Sequence, residues 1–409
     1  MGSSANVSIG KYDFLTCQSD LTPLLLIFNT WDRHIEKYVE GGDELTSYKY
    51  ITSVKLAKHC LDIIGYRISR TREIFESSKL GKEYYFDIEY EENMDDAINE
   101  YNFENWYSAV KYFACRLSSE GYPWNDKNET WLNRIEKDNV VEFIIGQSLL
   151  MYSDFYWGFP EENGAYWNVF RVILDAFEDE EQVILDYTAL VEGGYCDEIQ
   201  NENDFVSDKI LILTEGISDS EFISRSLKIL YPHLSKFYYF MEFGTINVTG
   251  GVSFLTHYIK AFAGAKIRNM IIGLFDNDSA AQDELRNLQN ICLPQNIKIL
   301  RLPEIEIAKK YPTIGPTEKQ DININGLACS LELFFGKDIL RQDDGTFIPI
   351  RWTGYKDRIN QYQGEIRNKG ELHEKFRHKL NLAERTQRIN RIDWEDMITL
   401  IESIIHVFE

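Results

Sequence analysis

Glu215, Asp276 and Asp278 are the residues of this 409-residue chain whose types and spacing point most directly to chemistry. Glu215 closes the apolar run Lys209-Ile-Leu-Ile-Leu-Thr-Glu215-Gly216. Asp276 and Asp278 close a second run, Met270-Ile-Ile-Gly-Leu-Phe-Asp276-Asn-Asp278. Short continuous runs of Ile, Leu and Val read as buried parallel strands, and ligands of such sheets sit beyond the carboxyl ends of the strands. Acids gathered there form a hard-oxygen site of the kind that suits Mg²⁺ or Mn²⁺. Positions two apart on a strand share a face, so Asp276 and Asp278 lean one way and Asn277 the other. Each motif alone is also ordinary turn and helix-capping chemistry. Their order and spacing together favour a site.

Further candidates lie downstream. Leu327-Ala-Cys-Ser330-Leu-Glu332-Leu-Phe-Phe335 is apolar except for Ser330 and Glu332. A carboxylate in such a run needs a cation or a donor. A metal ion and a structural salt bridge both meet that need. Gly250-Gly251 precedes a helix-like segment, where backbone N–H groups can approach a phosphate, although a tight turn explains the pair equally well. The formal net charge is −23, yet residues 351–391 hold eleven Lys and Arg against five Asp and Glu. Much of the deficit sits elsewhere: residues 86–104 hold eight acids and no base, and residues 178–204 hold ten and none. A basic tract after an acidic site suits a phosphodiester chain. The spacing of Arg377, Lys379, Arg385, Arg388 and Arg391 also suits a solvated helix face.

The elements that must position these groups divide the chain near residue 206. Residues 1–20 alternate around a glycine in the manner of a hairpin. Helical spacing follows over 47–76, 104–119, 139–150 and 165–177, predicting a mostly α-helical first domain over 1–206. The polar stretch Asp197 to Asp204 reads as a linker. Beyond it, strands at 209–214, 237–243, 270–275 and 297–301 alternate with helices at 218–230, 252–264 and 279–290, the mark of a mainly parallel sheet. The whole is expected to be α+β. Apolar stretches such as Leu24 to Phe28 are too short to cross a bilayer, and no signal-like leader opens the chain, so a cytoplasmic protein without a membrane partner is expected. Six cysteines without a Cys-x-x-Cys pair read as reduced thiols. The many Trp and Tyr residues read mostly as core, not as base-stacking platform.

The strand-end Glu and the later Asp-x-Asp resemble the signature of Toprim domains. Glu215-Gly-Ile-Ser-Asp219, Gly250-Gly251, Phe275-Asp-Asn-Asp278 and Ser330-Leu-Glu332 follow the order of OLD-family nucleases. The opening Met1 to Gly10 and the block Val191-Glu-Gly-Gly-Tyr195 also resemble HEPN/Toprim proteins, so the similarity spans nearly the whole chain. It implies a HEPN-like domain over 1–206 and a Toprim domain with a basic extension over 207–409. It further implies Mg²⁺-dependent cleavage of DNA or RNA in antiviral defence, with Glu215, Asp219, Asp276, Asp278, Ser330 and Glu332 around the metal. Lys369, or alternatively Lys356, would stabilise charge on the phosphate. Glu215 would bind metal or deprotonate water. A homo-oligomer or a complex with a separate defence ATPase is the implied assembly. No Arg followed four to six residues later by His occurs in 1–206, so the first domain is expected to be non-catalytic, and Arg367 with His373 is read as coincidence.

Three other functions share some of these residues. A topoisomerase or primase needs a gate or zinc module absent here. A phosphotransfer domain would use Asp276 as nucleophile but places its Asp-x-Asp on the first strand. A non-enzymatic metal-binding regulator or assembly subunit of a defence complex is the remaining alternative.

Overall fold

The computed structural model describes residues 3–77, 101–122, 131–135, 140–152, 159, 165–200, 205–206, 208–241, 251–289, 291–315 and 320–408. The chain forms two compact units, Met1–Ser207 and Asp208–Glu409. Among the described residues no helix is long and apolar enough to cross a membrane.

Among its described residues the first unit is mixed rather than mostly helical. Its antiparallel sheet has the order β2-β1-β5-β4-β3, with β1 Ser4–Ile9, β2 Tyr12–Gln18, β3 Arg33–Glu40, β4 Asp43–Ser53 and β5 Gln182–Asp186. The hairpin expected near the start is β1 with β2. The longer described helices are α1 Val54–Ile63, α2 Ile68–Ser77, α3 Phe103–Glu120, α4 Val140–Tyr152 and α5 Ala165–Leu174. The helical spacing read over 47–76 fails at its start. Tyr48, Tyr50 and Thr52 are buried at a period of two, which suits a strand. Ser53 then accepts a hydrogen bond from the Leu56 N–H and caps α1. β5 lies over 120 residues from both neighbours in sequence, and its pairing with β1 and β4 gave no local signal. Arg171, nearly buried on α5, is held by Asp62 at 2.7 Å and Asp175 at 2.8 Å.

The second unit is built on a four-stranded parallel sheet of order β10-β8-β6-β7. The strands are β6 Ile210–Leu213, β7 Tyr238–Phe240, β8 Ile271–Phe275 and β10 Ile297–Arg301, with helices α6 Ile217–Leu230, α7 Val252–Gly264 and α8 Ser279–Leu285 between them. β8 is buried at all five positions, as a central parallel strand requires. Leu213, Ile271 and Phe275 pack there with Leu255 and Ile259 of α7 and Ala281 of α8.

A second sheet, not foreseen in the sequence, follows: β11 Tyr311–Ile314, β12 Gln320–Ile322, β14 Ile350–Lys356 and β15 Gln361–Ile366 in the order β12-β11-β14-β15. A two-stranded ladder joins β9 Asn277–Asp278 to β13 Ala328–Cys329. Helices α9 Lys369–Thr386 and α10 Glu395–Ile405 close the unit. The basic tract therefore comprises a hairpin and an amphipathic helix whose Leu372, Phe376 and Leu380 are buried.

Gly336 shows how tightly this part is packed. Its φ of +103° is left-handed, and a Cβ there would lie 2.1 Å from the Asp393 carbonyl oxygen. Gly336→Ala is expected to cost more than about 2 kcal/mol, from backbone strain and overpacking together. Urea unfolding measures it.

Candidate functional site

All six acid and hydroxyl candidates belong to the second unit, carried by three separate connections. Glu215 follows β6, and its carbonyl accepts the Gly251 N–H at 2.8 Å. Gly251 has a φ of +122° and begins α7, so its N–H serves the Glu215 backbone instead of facing a phosphate. Gly250 lies outside the described residues. Gly216 is extended, with a φ of −135°. Its missing Cβ matters for another reason, because that atom would stand 3.1 Å from Asp219 Oδ2. Asp219 lies in the first turn of α6 and is half-buried.

The second connection leaves β8. The Asp276 N–H donates to Glu215 Oε1 at 3.0 Å, joining the two strand ends directly. Asp278 caps α8 by accepting the Ala281 N–H at 2.7 Å. Asn277 is buried on the opposite side and accepts from Arg301 at the end of β10. The alternation expected of Asp-Asn-Asp is thus realised, with Asn277 tying down the segment between the acids.

The third connection is β13 and the short 3-10 helix Leu331–Phe335. Ala328 pairs with Asp278 and Cys329 with Asn277, bringing Ser330 and Glu332 to the same end of the unit. Glu332 is only 3% exposed. Ser330 Oγ donates to its Oε2 at 2.5 Å, while His373 Nε2 at 2.9 Å and Lys369 Nζ at 3.2 Å meet its Oε1. Both carboxylate oxygens therefore have partners within the protein. Lys369 and His373 are four apart on α9 and face one way. Lys356 lies on β14, where its charge acts on Asp278.

The electrostatics separate Glu332 from the other acids. Burial pushes Glu332 up, but the His373 hydrogen bond, the Lys369 charge and the Ser330 hydroxyl outweigh it and hold the carboxyl down at about 2. Burial pushes Glu215 up to about 7, with Asp278 and Asp219 adding repulsion and Lys369 opposing it. Asp219 is pushed up to about 6 by burial and by Glu332. Asp276 rises well above its ordinary range, through burial and the charges of Glu215, Asp219 and Asp278. Asp278 is raised by burial. Four acids thus lie close enough to resist ionising together, with Lys369 the cation that acts on Glu215, Asp219 and Asp278 alike. Glu215, Asp219 and Asp276 border a cavity of about 10 Å³, also lined by Thr214, Phe275 and Leu331. That is room for about one water-sized occupant. Among the described residues no group of three or more His, Cys, Asp or Glu side chains is, as it stands, placed to hold a metal ion.

A family model described as HEPN/Toprim N-terminal domain 1 matches residues 1–209. The chain belongs to this HEPN/Toprim family. No curated protein and no solved structure matches it. The HEPN/Toprim match covers the first unit, while the acids lie wholly in the second. In the first unit Arg33 and His34 are neighbours on strand β3, and His59 lies on α1.

Sequence reasoning missed His373 as part of the site, as well as Asn277 and Arg301. His373 had one legible signal, its four-residue spacing from Lys369. Arg301 had none, because its partner is set by parallel pairing of β10 beside β8.

Of the basic tract, Arg377 is bound to Glu221 at 2.9 Å. Lys379 is drawn inward to the Phe335 and Asp393 carbonyls and to Asp338, each at 2.8 Å. These two cations hold α9 in place and are not free for a ligand. Arg385, Arg388 and Arg391 remain exposed.

Proposed function

We propose that the second unit is a Mg²⁺- or Mn²⁺-dependent phosphodiesterase that hydrolyses DNA or RNA. The observation that carries this reading is the joining of Glu215 to Asp276 at two adjacent strand ends, inside a pocket whose buried acids repel one another. Buried carboxylates without enough positive charge are stabilised by a divalent cation, and an all-oxygen donor set suits a hard ion. Glu215, Asp219, Asp276 and Asp278 would hold it. When bound, such an ion supplies Lewis-acid stabilisation of the phosphoryl oxygens and lowers the pKa of water.

The protein's own groups account for the remaining work. Lys369, fixed by Glu332, presents a positive charge toward negative charge building on phosphate. Ser330 and His373 act on Glu332 and are positioning residues. Glu215, held near 7, is suited to taking a proton from water at neutral pH. Antiviral defence, cytoplasmic residence, assembly as a homo-oligomer or with a separate ATPase, and likeness to OLD-family nucleases belong to this same reading, supported by HEPN/Toprim membership.

A test uses the full chain with plasmid DNA and total RNA in Mg²⁺, Mn²⁺ or EDTA. Cleavage with either metal, abolished by EDTA and by Glu215→Ala and Asp276→Ala, is the expected result. Metal binding without cleavage of any substrate would instead favour the non-enzymatic regulator.

A further inference from the structure

The hairpin of β14 and β15 projects past the rest of its sheet, since β11 pairs only with Ile350 and Arg351. Its root lies at the acidic site. β15 packs on β13, and a Cβ on Gly364 would stand 3.2 Å from that of Ala328, the residue paired with Asp278.

Trp352 opposes Gly364 and Tyr355 opposes Tyr362, across an irregularity between Trp352 and Gly354. That irregularity puts all three aromatic residues on one face, because 362 and 364 are two apart on β15. The Tyr355 and Tyr362 rings are 5.1 Å apart and edge to face, and Trp352 stands 6.1 Å from Tyr362. Tyr355 is 49% exposed and Tyr362 52%. Two exposed rings backed by the half-buried Trp352 on a projecting arm exceed what hairpin stability needs, since a cross-strand pair is worth about 0.2–1 kcal/mol.

A second observation concerns charge. Beside the hairpin turn, an open cavity of about 550 Å³ is lined by Arg286 and Arg301 with Gln282, Gln289, Leu285 and Ile359. Arg301 Nε is buried without a hydrogen-bond partner, and Arg301 also holds Asn277 between the two site acids. In a chain of net charge −23, paired guanidiniums beside the acids form a local cationic recess.

We infer that the hairpin arm and this recess bind single-stranded nucleic acid, with unpaired bases stacked on Trp352, Tyr355 and Tyr362 and the phosphate backbone drawn to Arg286 and Arg301. Aromatic platforms beside a cationic groove are how sequence-tolerant single-strand binding is achieved, and a duplex hides its base faces from such a platform. The inference rests on the phosphodiesterase reading for its substrate class and names which form of nucleic acid the same site receives.

The test is fluorescence anisotropy on the full chain in EDTA, where binding is read without cleavage, using a labelled 15-nucleotide DNA, the matching RNA and the 15-base-pair duplex. The expected result is tighter binding of the single strands than of the duplex. Tyr355→Ala with Tyr362→Ala should weaken single-strand binding at least about tenfold, while the double Phe variant retains it. Arg286→Gln should weaken both single strands and reduce the salt dependence by about one phosphate contact. Circular dichroism checks that each variant keeps its fold. Equal or tighter duplex binding, unchanged affinity in the Ala variant, or no binding of either strand would overturn the inference. Metal-dependent cleavage of duplex plasmid that survives in the Ala variant would sink it while leaving the phosphodiesterase reading intact.

Discussion

Glu215→Gln will abolish metal-dependent cleavage and, in EDTA at pH 8, make the protein more stable than the wild type. The two effects have one origin. The substitution keeps the shape of the side chain and an oxygen to accept the Asp276 N–H, but removes a charge that burial, Asp278 and Asp219 all oppose. Losing a metal-binding carboxylate that also takes the proton should lower the rate at least about 100-fold. Raising a carboxyl from 4.5 to about 7 corresponds to roughly 3 kcal/mol of folding free energy.

The sign of the pH dependence follows from linkage. A group whose folded pKa lies above its unfolded value costs nothing below about pH 4.5; the cost grows between 4.5 and 7 and is complete above 7. The variant's advantage in EDTA should therefore be present at pH 8 and gone near pH 4.5. Adding Mg²⁺ should raise the wild-type melting temperature far more than that of the variant. Thermal unfolding across pH, with and without metal, measures all of this. A variant less stable than the wild type in EDTA at pH 8 would mean the acids are not held together against repulsion.

The second large effect is expected at Glu332. This acid is stabilised in its charged form, so its contribution is present above about pH 4.5 and is lost as pH falls toward 2. Removing one partner of a buried charged cluster costs about 3–5 kcal/mol. Glu332→Ala should lose about that much, because His373 and Lys369 are left without their shared acceptor. It should also lower cleavage by letting Lys369 wander from the acids. Glu332→Gln keeps one oxygen that can accept from His373 and places an amide N–H where the Ser330 hydroxyl can accept instead, so it should cost less stability, while still releasing the Lys369 charge. Urea unfolding and the initial cleavage rate of the two variants separate anchoring from metal binding. Full stability combined with lost metal affinity in Glu332→Gln would show that Glu332 is a ligand after all.

The first unit illustrates where local pattern misleads. Tyr50 and Val54 suit a helix read from residue 47, yet Tyr48, Tyr50 and Thr52 suit β4 equally well, and the apolar positions alone do not choose. The choice is made by β5, which supplies hydrogen-bond partners from more than 120 residues away. The same holds for the unforeseen sheet β12-β11-β14-β15, whose strands are short and half exposed. A short strand with an open face carries little periodicity to detect.

By itself the sequence determined the parallel sheet of the second unit and the placing of Glu215, Asp276 and Asp278 beyond it. Those strands are buried on both faces, so their composition is dictated locally, and acids at strand ends are visible as breaks in apolar runs. Only the tertiary structure decided what each acid touches. Glu332 could have met a metal or a cation on the evidence of its apolar setting. It meets Lys369 and His373 because α9 returns across the 3-10 helix, a contact spanning about forty residues. The basic tract divided in the same way: Arg377 and Lys379 turned inward to hold α9, while Tyr355 and Tyr362 near the hairpin's end stayed exposed. Charge and ring content are properties of the chain, but their direction is set by packing between segments distant in sequence.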